Sequence, residues 1–317
     1  MTGSNGPAAA TVSQVGSFHV VAGKRTETPR YIWALLGAMV FLWSINFVVA
    51  KITLREFPAV FAGALRFTIA GAIVGPVWLW RERNSATPRL DARSFLSVFA
   101  LGVIGVGVNQ FCFILGMANT SVAHASIVVA LAPMIVLILA ALIGQERLTA
   151  RKAVGLAIAF AGVALLQAMP SKAGGASLLG DFFIFLSALT FALFTVFGKH
   201  VRGRFSGLTV NTFAYVGSSI LLLPLTLWSA ANFSFAEVTW KGWAGVIYMA
   251  TFPSLLCYLI YFHALHYIPA TRISTISYSQ PLLATIFAVT LLGESLSGSL
   301  IAGGLLVLFG VFLTERS

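Results

Sequence analysis

Shifted by 148 residues, this chain falls on itself. Lys51 lands on Lys199, Pro76 on Pro224, Trp80 on Trp228, Ser126 on Ser274, Pro133 on Pro281 and Glu146 on Glu294. Gly155 and Gly162 meet Gly303 and Gly310 at the same offset, so no insertion separates the matches. A period of this kind marks two copies of one unit. Each copy reads as five apolar runs of the length that crosses about 30 Å of hydrocarbon. An odd number of crossings turns the second copy upside down relative to the first. The expected fold class is all-α integral membrane, with ten transmembrane helices as two inverted five-helix repeats, a frame suited to alternating access.

Composition decides between that reading and a buried soluble core. Hydrophobic residues are 58% of the chain and charged residues 9%, with a mean hydropathy of +0.92. No soluble core of this size hides so much apolar surface. The spans are expected near 31–51, 57–80, 94–117, 121–144, 151–169, 178–199, 207–229, 242–265, 271–293 and 297–314. Residues 31–169 form the first repeat and 178–314 the second, after a Gly/Ser/Thr/Ala-rich tail at 1–29 expected to be disordered.

The formal charge of +11 raises nucleic acid as a partner, and its distribution removes it. With the N-terminus inside, fifteen of the 20 Lys and Arg residues fall on the cytoplasmic side, Arg81, Arg147, Arg151, Lys199 and Arg272 among them. Only Lys51, Arg55, Lys172 and Lys241 fall outside. This is the positive-inside pattern, with both termini cytoplasmic and the basic segments near anionic lipid headgroups. The expected location is the cell's inner membrane. Cys112 and Cys257 both lie within spans, as packing residues rather than a disulfide, and they have no metal-ligand spacing. No cofactor is expected, and no phosphate-binding Gly-x-x-x-x-Gly-Lys-Ser/Thr segment occurs.

Pro133 and Pro281 sit in the bodies of helices four and nine, where each frees a carbonyl one turn earlier and bends the helix. Small residues recur on helices five and ten: Gly155, Ala159 and Gly162, then Gly303 and Gly310. They permit close backbone approach in lipid, within a monomer or across a homodimer seam.

These features together resemble the EamA family of the drug/metabolite transporter superfamily. The resemblance is carried by the doubled proline, terminal glutamate and glycine-rich fifth helix. Further support comes from the stretch Pro58 to Arg66, Gly180-Asp181, and Tyr261-Phe-His-Ala-Leu265 before Ala270-Thr271. It covers about 31–314 and implies ten helices, a central cavity and export of amino acids or other small metabolites. It also implies a test of mechanism. Small multidrug members of that superfamily bind cations on a membrane-embedded glutamate in helix one, and Tyr31 to Lys51 contains no carboxylate. Proton-coupled export of organic cations is the alternative this absence disfavours.

Ionisable groups within a membrane are costly and point to function. Arg66 lies deep in helix two, able to hold helix-end carbonyls or a substrate carboxylate. Polar and aromatic residues expected at the cavity are Trp43 and Asn46, Asn109 and Gln110, His124 and Ser126, Tyr258 and Tyr261, and Ser274, Tyr278 and Gln280. Phe191 matches Trp43 across the repeat. Amides and hydroxyls suit the polar end of an amino acid, and aromatic faces its side chain or ammonium group. Asp181 reads as a charge at a helix N-terminus, and His124, His263 and His266 as interhelical or interfacial histidines. A membrane enzyme needs clustered catalytic acids, histidines or metal ligands at one face, a pattern not found here.

Overall fold

The structure, a computed structural model, describes residues 29–83, 92–144, 148–168, 177–202, 205–264, 267–268, 273 and 279–315. The tail before Pro29 lies outside them, as do Glu146, His266, Arg272, Ser274 and Tyr278. All regular structure among the described residues is helical. That follows from the solvent, since lipid offers no partner for a backbone N–H or C=O and each segment must bond itself.

In the first half, α1 (Arg30–Thr53) and α2 (Ala59–Arg83) are followed by a third run built from α3 (Ala92–Gly102), a π-turn at Val103–Val108 and α4 (Asn109–Asn119). The fourth run is split into α5 (Val122–Val129) and α6 (Ala132–Leu142), and α7 (Ala150–Ala168) follows. In the second half come α8 (Leu178–Arg202) and α9 (Gly207–Ala231). Next is a run of α10 (Trp240–Thr251), a π-turn at Phe252–Leu256 and α11 (Cys257–Ala264). The chain closes with α12 (Ser279–Leu292) and α13 (Gly298–Glu315). Among the described residues, seven runs are long and apolar enough to cross a bilayer, with two shorter apolar helices at Ser279–Leu292 and Gly298–Thr314. Large apolar side chains on the periphery, such as Trp80, Leu142, Leu305 and Phe309, face outward as lipid contact requires.

The halves interlock rather than stand side by side. Helix α4 packs on α8, and its counterpart run α10–α11 packs on α1; α6 packs on α8, and α12 on α1. Equivalent helices also meet each other, α2 with α9 and α7 with α13. The glycine stripes explain the last contact. Gly155 faces Gly310 and Thr314, and Gly162 faces Gly303 and Val307, so the two helices run antiparallel with backbones touching. The stripes are thus used within the chain.

Two details depart from the sequence reading. The fourth run is broken rather than kinked at Pro133. Ala130 N–H donates to the carbonyls of Ser126 and Ile127 at 3.2 and 3.1 Å, and Leu131 N–H to Val128 at 3.1 Å. Helix α6 then restarts at Ala132, with Pro133 in its first turn where a missing N–H removes no helical bond. Pro133→Ala is therefore expected to shift stability by less than about 1 kcal/mol, measured as the thermal midpoint in detergent; a large loss would place the proline in a helix interior. Pro281 lies within the described part of α12. The second departure is the pair of π-turns, which coincide under the 148-residue shift although neither was foreseen. Gly144 and Gly293, at φ 71 and 67, end α6 and α12 in the left-handed conformation that glycine adopts without strain.

Cys112 and Cys257 are free, buried thiols, as expected.

Candidate functional site

The interlocked halves leave a cavity of about 160 Å³ midway along the runs. Helical periodicity brings one face of each wall to it. From α1 come Trp43, Asn46 and Phe47, spaced i, i+3, i+4; from α4, Asn109, Gln110 and Phe113; from α8, Ser187, Phe191 and Thr195, a turn apart. The broken fourth run adds Ser126, Val129, Ala130 and Pro133, and the second half adds Pro253, Tyr258, Tyr261, Gln280 and Pro281. Arg66 reaches in from α2. The cavity thus gathers ten of the thirteen side chains expected to bind substrate, together with both helix-four and helix-nine prolines.

One wall is aromatic. Trp43 lies edge-on to Tyr258 at 5.9 Å between ring centroids and 6.5 Å from Tyr261, which is 6.3 Å from Phe191. The Trp43 indole is held by donating to the Pro253 carbonyl at 3.2 Å, a group turned by the π-turn. Trp43 and Phe191, equivalent under the repeat, therefore flank one space.

A polar circuit adjoins the cavity through Arg66 and Gln110. Arg66 Nε donates to Ser254 Oγ at 2.8 Å, and that hydroxyl lies 2.7 Å from the Met249 carbonyl and 3.1 Å from Gln110 Oε1. Gln110 Nε2 donates to Tyr215 Oη at 2.6 Å, whose hydroxyl donates to the Ser254 carbonyl at 2.8 Å. The circuit joins α2, α4, α9 and the second π-turn, and it orients a guanidinium only 2% exposed. Two groups are left over. Arg66 and Asn46 both line the cavity, and Arg66 Nη1 and Asn46 Oδ1 are buried with no hydrogen-bond partner among the described residues. Asn109 and Ser126 are occupied: Asn109 Nδ2 donates to Ser187 O at 2.7 Å and Oγ at 3.0 Å, and Ser126 Oγ to the Ala123 carbonyl at 2.8 Å.

His124 does not belong to the cavity. It is two residues from Ser126, and a rotation of about 200° puts it on the far face of α5. There Nδ1 lies 2.8 Å from Asp181 Oδ1, the oxygen that also accepts from Thr120 Oγ1 at 2.9 Å. Asp181 itself stands in the first turn of α8, one turn after the cap position. Ser177 caps the helix, accepting from Gly180 N–H at 3.0 Å. Around this pair the halves are fastened. Glu294 accepts from the N–H groups of Val122 and Ala123 at 2.8 and 3.1 Å, satisfying the start of α5. Lys51 Nζ donates to the carbonyls of Met117 and Thr120 at 3.0 and 2.7 Å, satisfying the end of α4. Glu56 accepts from the N–H and hydroxyl of Thr239, both at 2.8 Å, at the start of α10. These groups occupy the ends of α1, α4 and α12 and the starts of α5, α8 and α10, one end of the bundle. His263 is an exposed interfacial residue, its ring 6.2 Å from Tyr31 and 5.3 Å from Tyr267.

The sequence reading missed Ser254, Tyr215, Ser187, Thr195 and Pro253. A small hydroxyl residue inside an apolar run carries no signal of its own. Pro253 did carry one, since it lands on Gly105 within Gly105-Val106-Gly107, a pair of helix-disturbing sites at one height.

Comparison with known proteins adds an independent line. A model of the EamA-like transporter family matches the chain twice, at residues 29–167 and 178–316. An uncharacterized transporter of Archaeoglobus fulgidus is 29% identical over 90% of this chain and 98% of its own. A probable terminal-alkyne amino-acid exporter of Streptantibioticus cattleyicolor is 25% identical over 90% of this chain and 93% of its own. A crystal structure superposes with a TM-score of 0.63 at 19% identity, covering 89% of this chain and 96% of that one, a likeness of fold alone.

Proposed function

This chain belongs to the EamA-like transporter family, and from that premise we propose that it is a secondary transporter exporting small polar or zwitterionic metabolites, amino acids first among them. It acts in the cell's inner membrane as a monomer with both termini cytoplasmic. Its two halves are inverted repeats that rock around the cavity by alternating access. The observation that carries the reading is the cavity itself. It lies between the halves at mid-height, joins an aromatic wall to a buried guanidinium, and is lined by both repeats. The antiparallel meeting of α7 and α13 supports inversion, and the S. cattleyicolor relative supports the amino-acid class. The bonds of Asp181, Glu294 and Glu56 between the halves are the closure that must part when the cavity opens at that end.

The rival reading is a proton-coupled exporter of organic cations. It asks for a carboxylate at the binding site, and none lines the cavity among the described residues. Reconstitution into liposomes separates the two. Flux of a labelled amino-acid panel, measured with and without a pH gradient, is expected to exceed that of empty liposomes for at least one amino acid. Movement of organic cations with no movement of amino acids overturns the proposal.

A further inference from the structure

Among its described lining, the cavity offers a positive charge and no carboxylate. Arg66 is 2% exposed, its Nε is committed to the neutral Ser254 hydroxyl, and its Nη1 has no partner among the described residues. A guanidinium withdrawn from water is stabilised by an anion far more than by neutral acceptors. Asn46 also lines the cavity, and its Oδ1, buried without a partner among the described residues, belongs to an amide that can turn to present N–H or C=O. On the ligand side, an ammonium group finds only neutral acceptors and the faces of Trp43, Tyr258 and Tyr261. It would also bring a second positive charge beside Arg66 in a space with no carboxylate among its described lining.

We propose that Arg66 makes this cavity a carboxylate site: Nη1 takes the carboxylate of the substrate, Asn46 bonds its second oxygen, and the amino group contributes little to affinity. The inference rests on reading the cavity as the substrate site. It makes the ligand class broader than amino acids, since monocarboxylates lacking an amino group are accommodated at least as well, and amines lacking a carboxylate are excluded. The circuit through Ser254, Gln110 and Tyr215 positions the guanidinium, and of these three only Gln110 is among the described residues that line the cavity.

The test compares compounds on one carbon skeleton: leucine, 4-methylpentanoate and 3-methylbutylamine, with phenylalanine, 3-phenylpropanoate and 2-phenylethylamine as a second set. Ligand-dependent rise of the thermal midpoint of the purified protein reads binding, because a ligand of the folded state alone raises it. For at least one set, the acid is expected to bind as tightly as the amino acid or more so, and the amine not to bind. Arg66→Gln is expected to weaken the acids about 10- to 100-fold, the range of a hydrogen bond to a charged group, with Arg66→Lys between. Binding of an amine without the matching acid, binding of no carboxylate, or acids bound unchanged by a folded Arg66→Gln protein each overturns the proposal. The comparison on the unaltered protein is decisive even where a variant fails to fold. The transport reading fails separately. Arg66-dependent binding with no amino-acid flux in liposomes keeps the carboxylate site and removes the exporter, whereas flux that requires the amino group and ignores Arg66 does the reverse.

Discussion

Gly310→Leu is expected to remove most of the folded protein. The site admits no side chain: a Cβ there would stand 2.6 Å from the Ala159 backbone nitrogen and 2.9 Å from the Ala159 methyl, on the facing helix α7. Overpacking a core costs about 1–3 kcal/mol when neighbouring side chains can shift. Here the obstacle is backbone, so α7 and α13 must separate and every contact between them is loosened. Gly162→Leu meets the same fate, its Cβ 2.7 Å from the Gly303 carbonyl and 2.8 Å from the Val307 nitrogen. Gly37→Ala is the matched control, because nothing lies within 4 Å of its Cβ. It should be neutral or stabilising by up to about 1 kcal/mol, as alanine is the better helix former. The measurements are yield of monodisperse protein and thermal midpoint; equal values for Gly310→Leu and Gly37→Ala would sink the packing argument.

The second large effect is expected from Asp181. Removing its carboxylate with Asp181→Ala strands the Thr120 hydroxyl and the His124 ring, both buried. A buried polar group deprived of its partner costs about 1–3 kcal/mol, and two are left here. The sum expected here is about 2–4 kcal/mol. In the rocking frame the same change has a functional consequence, since it releases one fastening between halves and favours the state open at that end. A cysteine placed at Phe47, with Cys112 and Cys257 replaced by alanine, reports this by its labelling rate with a membrane-impermeant reagent. Asp181→Ala should raise the rate, and Glu294→Ala, which frees the Val122 and Ala123 amides, should raise it too. Unchanged labelling in both would mean that these bonds brace the fold without closing the cavity. A double-mutant cycle of Asp181→Asn with His124→Gln should show coupling of about 1 kcal/mol or more, as contacting residues do.

Which parts of this were legible beforehand follows from how each signal is written. Polar and aromatic residues are rare in apolar runs, so Trp43, Asn46, Arg66 and Gln110 stood out and all proved to face one cavity. His124 stood out for the same reason and was misplaced, because rarity says nothing about which side of a helix a residue occupies. Its separation from Ser126 by two positions held the correction, since helical neighbours on one face are three or four apart. Asp181 stands in the first turn of α8, as the sequence implies, but only the structure shows that it also meets Thr120 and His124 of the other half. Ser254 was invisible. Its importance arises where a π-turn presents its hydroxyl and carbonyl to Arg66, Gln110 and Tyr215 at once.

The 148-residue period, the apolar runs and the glycine stripes were complete in the chain itself, because duplication, hydropathy and small-residue spacing are properties of neighbours along a helix. They determined a helical membrane protein of two equivalent halves and its family. The tertiary structure alone decided that Arg66 keeps one buried nitrogen unpartnered among the described residues, that His124 meets Asp181 instead, and that Glu294 of one half bonds the start of α5 in the other. The physical reason is range. Hydrogen bonds require atoms within about 3 Å, and which side chains from separate helices meet that condition depends on helix rotation, on the break before Pro133 and on the two π-turns. Each of these acts on the packing of both halves together.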